Sequence, residues 1–177
     1  MTVLISDVAA AVSAAAVRHG IDACILAALV VKESSGDPLA VRHEPRYQWL
    51  WDVDKWEPFR RLSEEERRSA TPPPDFRAPV GVSAATEWSS QRTSWGACQI
   101  MGATARERGF RGRFLSALCE PTLGVEYGAR HLALLMARYD AMSALSAYNA
   151  GKPTDANEDS YVRPILRWAE EFRREGF

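Results

Sequence analysis

An uninterrupted apolar segment that ends in a carboxylate is the feature that most constrains this chain. Residues 25–31 are all apolar, and the next seven residues are Lys-Glu-Ser-Ser-Gly-Asp-Pro. Asp22 is a natural N-cap for a helix that contains the apolar segment and continues to about Glu33. The Ser-Ser-Gly-Asp-Pro that follows stops the helix there. The sequence therefore predicts a buried helix with Glu33 at its C-terminal end.

The position of Glu33 predicts a carboxyl group that holds its proton. Glu33 follows Leu29 by four residues and Val30 by three, so the three side chains share one helix face. Desolvation disfavours the carboxylate, and so does the partial negative charge at a helix C-terminus. An acid that stays protonated near neutral pH suits general acid catalysis. A Glu that simply reaches water at a helix end is the alternative, and this segment alone leaves it open.

Helical signals dominate the rest of the chain, and no segment shows period-two alternation. Ser63 with Glu66 forms a capping box, and Pro121 suits the first turn of a long helix that contains two glycines as weak points. The predicted helices are residues 3–18, 23–33, 64–69, 84–91, 103–108, 121–139, 142–149 and 161–174. We therefore expect a mainly α, single domain over residues 1–177, with room for a short β-hairpin.

Residues 43–94 differ in composition from the segments around them. They contain the triple proline at 72–74 and the charge run at 64–68, and five of the six tryptophans lie in this segment or just beyond it. A long segment of this kind inside a domain is usually functional or disordered, and the tryptophans favour order. We interpret it as an aromatic- and proline-rich insertion that crosses the surface.

Charge and composition exclude several classes of protein. The net charge of −1 and the pI of about 6.3 give no electrostatic basis for binding nucleic acid. No apolar run approaches the roughly 20 residues needed for stable membrane insertion. The first 20 residues lack a basic leader, and Asp7 interrupts their apolar run, so we expect an amphipathic helix and not a signal peptide. Three cysteines and three scattered histidines predict no disulfide framework, no metal site and no cofactor.

The segment SWGACQIMGATARERGF, residues 94–110, carries one amide between two glycines. Glycine allows close approach of the backbone to a ligand, and Gln99 offers both donors and an acceptor, which suits sugar hydroxyl and acetamido groups. A buried turn is the alternative. Cys98 with His131 could suggest a nucleophile, but the small apolar neighbours of Cys98 favour an inert thiol.

Two further segments place polar side chains at helix ends. In ALSAYNAGK, residues 144–152, Tyr148 and Asn149 end a helix that Gly151 closes, so their polar groups can face a cleft. In EDSYVRPI, residues 158–165, Tyr161 opens the last predicted helix.

The motifs ESSGDP, GACQIM, AYNAG and YV occur in that order, and together they resemble the soluble lytic transglycosylase (SLT) family. The resemblance covers about residues 27–166 without the insertion, and it implies a lysozyme-like helical fold. The arrangement of EPRYQWLWDV, PPPDF and SWGACQIMG further resembles members carried by phages and prophages, which hold a similar insertion.

The resemblance implies roles for particular residues. Glu33 matches the single catalytic acid/base. The other matches, which would bind substrate, are Ser34, Gln99, Met101, Tyr148, Asn149 and Tyr161. Glu158 could match an additional cleft carboxylate, although its spacing to Tyr161 differs. Gly102 stands where many members have proline and Arg42 where many have serine, so substrate contacts near Arg42 and Glu158 are open.

The implied activity is cleavage of the bond from N-acetylmuramic acid to N-acetylglucosamine in peptidoglycan, with formation of a 1,6-anhydro sugar. A hydrolytic muramidase would instead need a second carboxylate, for which the insertion offers Asp52, Asp54, Glu57 and Glu87. A glycan-binding virion module without catalysis is the third alternative. Expected partners are glycan strands, with a holin or virion proteins for access to the periplasmic cell wall. Export of a bacterial enzyme by a specialised secretion system is the alternative route. The tryptophans in or just beyond the insertion could stack on sugars, although core packing is expected for at least three of the five. These five are Trp49, Trp51, Trp56, Trp88 and Trp95.

Overall fold

The computed structural model describes residues 4–177, and over these residues the chain is 56% helical with eight α-helices. The helices are α1 (Ser6–His19), α2 (Ala23–Ser34), α3 (Glu64–Arg68), α4 (Ala84–Gln91), α5 (Gly102–Glu107), α6 (Pro121–Met136), α7 (Ala141–Ala150) and α8 (Arg163–Glu175). The prediction of a mainly α fold is confirmed. Residue 3, where the first helix was predicted to begin, lies outside the described residues.

Helix α2 is the central helix of the fold. Its first turn is capped by Asp22, whose carboxylate accepts from the backbone N–H groups of Cys24 at 2.8 Å and Ile25 at 3.3 Å. Residues 26–30 are fully buried, because α2 packs between α1 and α8. Ser35 adopts a left-handed conformation with φ 56° and ends the helix. This buried helix therefore delivers Glu33 to the edge of the core.

Helix α6 packs closely against Cys98 and against the 3-10 turn Leu115–Cys119, and its two glycines make this possible. A Cβ on Gly128 would lie 2.4 Å from the Cβ of Cys98, and one on Gly124 would lie 2.3 Å from the Leu118 carbonyl oxygen. Such distances exclude any side chain at either position without movement of a neighbour. The glycines predicted to be weak points in α6 are therefore the sites of its closest contacts.

A small sheet closes the base of the insertion. Its strands are β1 (Val41–His43), β4 (Thr93–Trp95) and β5 (Ile100–Met101), while β2 (Trp51–Asp52) and β3 (Glu57–Pro58) form a hairpin inside the insertion. β1 and β4 are antiparallel, with Arg42 opposite Ser94 and His43 opposite Thr93. The insertion therefore leaves the helical domain along one strand and returns along its neighbour. This arrangement contains one more sheet than the single hairpin that the sequence allowed for.

The insertion has an apolar interior and a buried ion pair that joins it to α5. Its buried side chains include Leu50, Leu62, Phe76 and Trp88. Both oxygens of the Glu87 carboxylate accept from the guanidinium of Arg106 in α5, at 2.9 Å each, and both side chains are 1% exposed. These contacts order the insertion, as the tryptophan content predicted.

The chain enters α8 through a single π-helical turn, Glu158–Val162. Tyr161 therefore precedes the last helix and does not open it, which corrects the prediction from sequence. α6 is also shorter than expected, because it ends at Met136. Among the described residues, no helix is both long and apolar enough to cross a membrane.

Candidate active site

Glu33 and Tyr161 meet where the end of α2 faces the π-helical turn. The Tyr161 hydroxyl donates a hydrogen bond to the Glu33 carboxylate oxygen Oε1. Tyr161 is 5% exposed, whereas Glu33 keeps some exposed surface. The Lys32 ammonium lies 5.9 Å from the centroid of the Tyr161 ring. Glu33 thus has a fixed orientation and an opening to solvent, which are the two properties a proton donor needs.

Burial raises the pKa of the Glu33 carboxyl above its usual value. The Tyr161 hydrogen bond and the positive charges of Arg42 and Lys32 lower this pKa, but burial is the larger effect. The direction agrees with the expectation from the sequence. The catalytic role of Glu33 is still a prediction at this point, and its protonation behaviour is the property that supports it.

The Ser34 side chain faces the protein. Its hydroxyl contacts two carbonyl oxygens, Ala97 at 2.8 Å and Val30 at 3.2 Å. The contact with Ala97 fastens the end of α2 to the loop between β4 and β5. Ser34 therefore positions its neighbour Glu33 in this structure, and substrate binding by Ser34 stays a prediction.

The Gln99 amide is used mostly within the protein. Its nitrogen donates to the carbonyl oxygens of Ala40 and Gly96, at 2.9 Å each, and its oxygen accepts from the Ser94 hydroxyl at 2.9 Å. Both N–H donors are thereby engaged, and only one lone pair of the oxygen is left. Gln99 itself has a φ of 46°, so this network also holds an uncommon backbone conformation. Gln99 therefore lies in a turn, the alternative expected from sequence, and its role in substrate binding stays a prediction.

The two glycines on either side of Gln99 lie close to protein backbone. A Cβ on Gly96 would lie 2.2 Å from the Leu118 carbonyl oxygen, and one on Gly102 would lie 2.2 Å from the Ser90 carbonyl oxygen. Packing within the protein therefore requires glycine at both positions, and close approach of a ligand there stays a prediction.

Met101, Tyr148 and Asn149 line one pocket with a volume of about 620 Å³. The Tyr148 hydroxyl donates to the Cys98 carbonyl oxygen at 2.9 Å. The Asn149 oxygen accepts from Asn157 at 3.0 Å, and Asn149 is exposed, so its amide nitrogen is available to a ligand. The structure brings these three predicted residues together.

Tyr148 connects this pocket to Glu33. Burial raises the pKa of the Tyr148 phenol well above its usual value, and negative charge on Cys98, Glu33 and Tyr161 adds to the effect. Tyr148 also packs against the core cluster that contains Tyr161, the residue that donates to Glu33. The pocket that Tyr148 lines is therefore adjacent to the part of the core that holds Glu33.

His131 is a member of this site that the sequence did not single out for it. Its ring lies 5.2 Å from the Tyr148 ring between centroids, and its Nδ1 accepts from Nε of Arg108 at 3.1 Å. Burial and the positive charge of Arg108 lower the pKa of His131 to about 4. Cys98 is fully buried, which raises the pKa of its thiol far above the usual value. A Cys98–His131 nucleophile is therefore excluded, as expected.

Glu158 does not line the pocket that contains Tyr148 and Asn149. Its carboxylate accepts from Arg163 at 2.8 Å, and it lines a different pocket together with Asp140 and Asp155. The spacing from Glu158 to Tyr161 matched the family poorly, and in the structure the Glu158 carboxylate pairs with Arg163. Glu158 thus lines a different pocket from Met101, Tyr148 and Asn149, and its role in substrate binding stays a prediction.

The four insertion carboxylates that a hydrolase could use are bonded to other groups or exposed. Glu87 is held by Arg106, and Asp52 accepts from the backbone N–H groups of Asp54 and Lys55 at 3.0 Å each. Glu57 and Asp54 are exposed on the same hairpin. Over residues 4–177, none of the four makes a hydrogen bond or ion pair with Glu33. No group of three or more His, Cys, Asp or Glu side chains in this range could hold a metal ion.

One insertion tryptophan reaches the pocket. Trp49 is 70% exposed and lies in the pocket wall with Met101. Trp88 is buried, and Trp51 packs edge to face against Trp56 with 6.2 Å between ring centroids. Packing thus accounts for three of the five tryptophans, as predicted.

Comparison with known families gives one match. Residues 79–166 match the model of the family described as "Transglycosylase SLT domain". The matched segment includes Gln99, Met101, Tyr148, Asn149 and Tyr161, and it begins after Glu33. No curated protein and no solved structure matches the chain. The domain match supports a peptidoglycan-degrading function of the lytic transglycosylase type. Together with the mainly α, lysozyme-like fold, it identifies residues 79–166, about half of the chain, as an SLT transglycosylase domain.

Proposed function

We propose that the protein cleaves the β-1,4 bond from N-acetylmuramic acid to N-acetylglucosamine and leaves a 1,6-anhydro-N-acetylmuramoyl end. The observation that carries the proposal is the environment of Glu33. Its carboxyl has a pKa raised by burial and is oriented by the Tyr161 hydroxyl. The carboxylates considered as partners are engaged elsewhere or exposed on the hairpin. One carboxyl group that acts twice fits this arrangement.

In the first step, protonated Glu33 donates its proton to the glycosidic oxygen. The bond between this oxygen and C1 of the muramoyl sugar breaks, and the N-acetylglucosamine side leaves as an alcohol. Positive charge develops at C1 in an oxocarbenium-like transition state. A carboxyl group that is still protonated near neutral pH is ready for this step without a second acid.

In the second step, the Glu33 carboxylate takes the proton of the muramoyl 6-hydroxyl, whose oxygen bonds to C1. The acid is regenerated and no water is consumed, so the atoms balance between substrate and products. The nucleophile is part of the substrate and gains from proximity. The positive charges of Arg42 and Lys32 and the Tyr161 hydrogen bond stabilise the carboxylate between the steps.

The pocket supplies groups that would hold the sugars. The free amide nitrogen of Asn149 can donate to a hydroxyl or an acetamido oxygen. Tyr148 presents an aromatic face beside it, and Trp49 offers a second exposed ring in the pocket wall. We propose Met101 as an apolar contact between them.

Hydrolysis on the same fold is the competing reaction. An inverting hydrolase needs a second carboxylate roughly 6.5–9.5 Å from the first, with room for water between them. The burial of Glu87 against Arg106 and the turn contacts of Asp52 argue against either in that role. A glycan-binding module without catalysis would have no use for a buried carboxyl group held by Tyr161.

Product analysis tests the proposal. Purified sacculi are digested in water labelled with oxygen-18, and the fragments are identified by mass spectrometry. The proposal predicts anhydromuramoyl ends without label. Reducing ends that carry the label would show hydrolysis, and the absence of any new ends would leave only a binding function.

We also propose that the enzyme acts on the periplasmic cell wall, either after release with a holin or as part of a virion. The support is that the proposed substrate lies outside the cytoplasmic membrane. Expression in a Gram-negative host with and without a co-expressed holin tests the first route. Lysis that requires the holin supports it, and equal lysis in both cultures contradicts it.

A further inference from the structure

Two arginines in the pocket have side chains without a partner among residues 4–177. Arg46 belongs to the insertion and Arg138 follows the end of α6, and both line the pocket that contains Tyr148 and Asn149. Both are exposed, and over residues 4–177 neither side chain forms an ion pair or a hydrogen bond. A guanidinium group presents a planar set of donors that matches a carboxylate, and here two such groups come from different parts of the chain.

The neighbouring charges leave this part of the pocket positive. Arg108, a third arginine there, lies 3.2 Å from the Glu107 carboxylate and also donates to His131. His131 is neutral near pH 7, because its pKa is lowered to about 4. Arg46 and Arg138 therefore supply an unbalanced positive charge, although the whole chain has a net charge of −1.

The ligand of the proposed function carries the complementary group. N-acetylmuramic acid bears a lactyl ether whose carboxylate is either free or extended by a peptide with its own carboxylates, whereas N-acetylglucosamine is neutral. We propose that Arg46 and Arg138 form a subsite for a carboxylate on this lactyl-linked arm. This inference rests on the proposed function, and it assigns to the insertion a part in selecting the substrate.

The subsite makes turnover depend on substrate charge. Strands that carry carboxylates on the lactyl-linked arm are cleaved more efficiently than strands in which these groups are converted to methyl amides. The preference decreases as salt is added, because both arginines are exposed and their charge is screened. Trp49 and Asn149 contact the sugars in either case, so their contribution does not change with substrate charge.

The test compares three soluble glycan strands: with free peptide carboxylates, with the same carboxylates methyl-amidated, and without peptide so that only the lactyl carboxylate remains. The variants are Arg46→Gln and Arg138→Gln. Their controls are Arg61→Gln and Arg130→Gln, two exposed arginines that do not line this pocket. From the usual strength of exposed ion pairs, each pocket variant lowers kcat/KM on the peptide-bearing strand about two- to fivefold, and the controls do not.

The comparison among strands decides the outcome. A loss that disappears on the methyl-amidated strand supports the subsite, and the strand without peptide shows which carboxylate is bound. A loss of equal size on all three strands, or no loss relative to the controls, overturns the subsite. Wild-type cleavage of the methyl-amidated strand tests the proposed function separately. Calorimetry measures the affinity of Glu33→Gln for the three strands without turnover, with and without the pocket substitutions. The subsite predicts that the affinities for the three strands follow the same order as the kcat/KM values.

Discussion

The Tyr161 hydroxyl donates a hydrogen bond to the Glu33 carboxylate across 128 positions of the chain. The contact depends on the π-helical turn Glu158–Val162, which places Tyr161 before α8 with its side chain directed at the end of α2. π-Turns are rare and occur often at functional sites. Here the turn leads into α8, which packs against α2, and carries the hydroxyl group that orients Glu33.

Replacement of Tyr161 by Phe tests this contact. The variant keeps the buried ring but removes the hydrogen bond, which lowers the pKa of Glu33 in the wild type. The pKa of Glu33 therefore rises further, and the loss of activity at high pH moves to higher pH. We expect kcat to fall by roughly tenfold or more, since a hydrogen bond to a charged group is worth about 1.5–3 kcal/mol. An unchanged pH profile and kcat would contradict a positioning role.

Arg42 provides a test of the electrostatic effect on Glu33. Its side chain is exposed and forms an ion pair of 2.5 Å with Glu44, and its positive charge lowers the pKa of Glu33. Arg42→Gln removes this effect, so the pKa of Glu33 rises and Glu33 stays protonated to higher pH. The loss of activity on the alkaline side of the pH–rate profile therefore moves to higher pH. Arg61→Gln, with an exposed arginine away from the pocket, is the control. A downward shift for Arg42→Gln would contradict the account.

Trp49→Ala tests the contribution of the insertion to sugar binding. Loss of one exposed aromatic face is expected to raise KM by about two- to tenfold, equivalent to about 0.5–1.5 kcal/mol, with little change in kcat. Val80→Ala removes an even more exposed apolar side chain, 95% against 70%, outside the pocket. Michaelis kinetics on soluble strands measure the difference. Equal KM values for both variants would place Trp49 outside the binding site.

Glu87→Gln tests the connection between the insertion and α5. The substitution leaves the Arg106 charge buried without its partner, which costs about 3–5 kcal/mol in the free energy of unfolding. Glu64→Gln, which breaks the exposed pair with Arg68, is expected to have no measurable effect. Urea denaturation measures both. A small loss for Glu87→Gln would mean that the buried pair does not hold the insertion.

Local signals made much of the helical structure predictable. Asp22 caps α2 as expected, and Ser63 and Glu66 form the predicted capping box, with reciprocal bonds of 3.1 and 2.7 Å. Pro121 starts α6. Each of these signals acts within four residues, so the sequence contains all the information needed. The partial burial of Glu33 was predictable for the same reason, because Glu33 lies on the apolar face of its own helix.

Contacts between distant residues were not predictable from one sequence. β1 pairs with β4 across some 50 residues, and strands of three residues are too short to show alternation. The hydrogen bonds from the Gln99 amide to the carbonyl oxygens of Ala40 and Gly96 depend on the pairing of β1 with β4. Because this pairing was not predictable, the sequence indicated only that Gln99 could contact a ligand. His131 lies in the site because its ring packs against Tyr148. The sequence around either residue does not indicate this contact.

Glu33→Gln tests the central claim most directly, because it preserves the shape of the side chain and removes its proton. Wild type and variant are compared for the rate at which anhydromuramoyl ends form from purified sacculi, with circular dichroism and thermal unfolding as checks on the fold. The account predicts a loss of about 10²–10⁴-fold or more with the fold retained, as expected for a group that serves as both acid and base. Equal rates in the two proteins would contradict it.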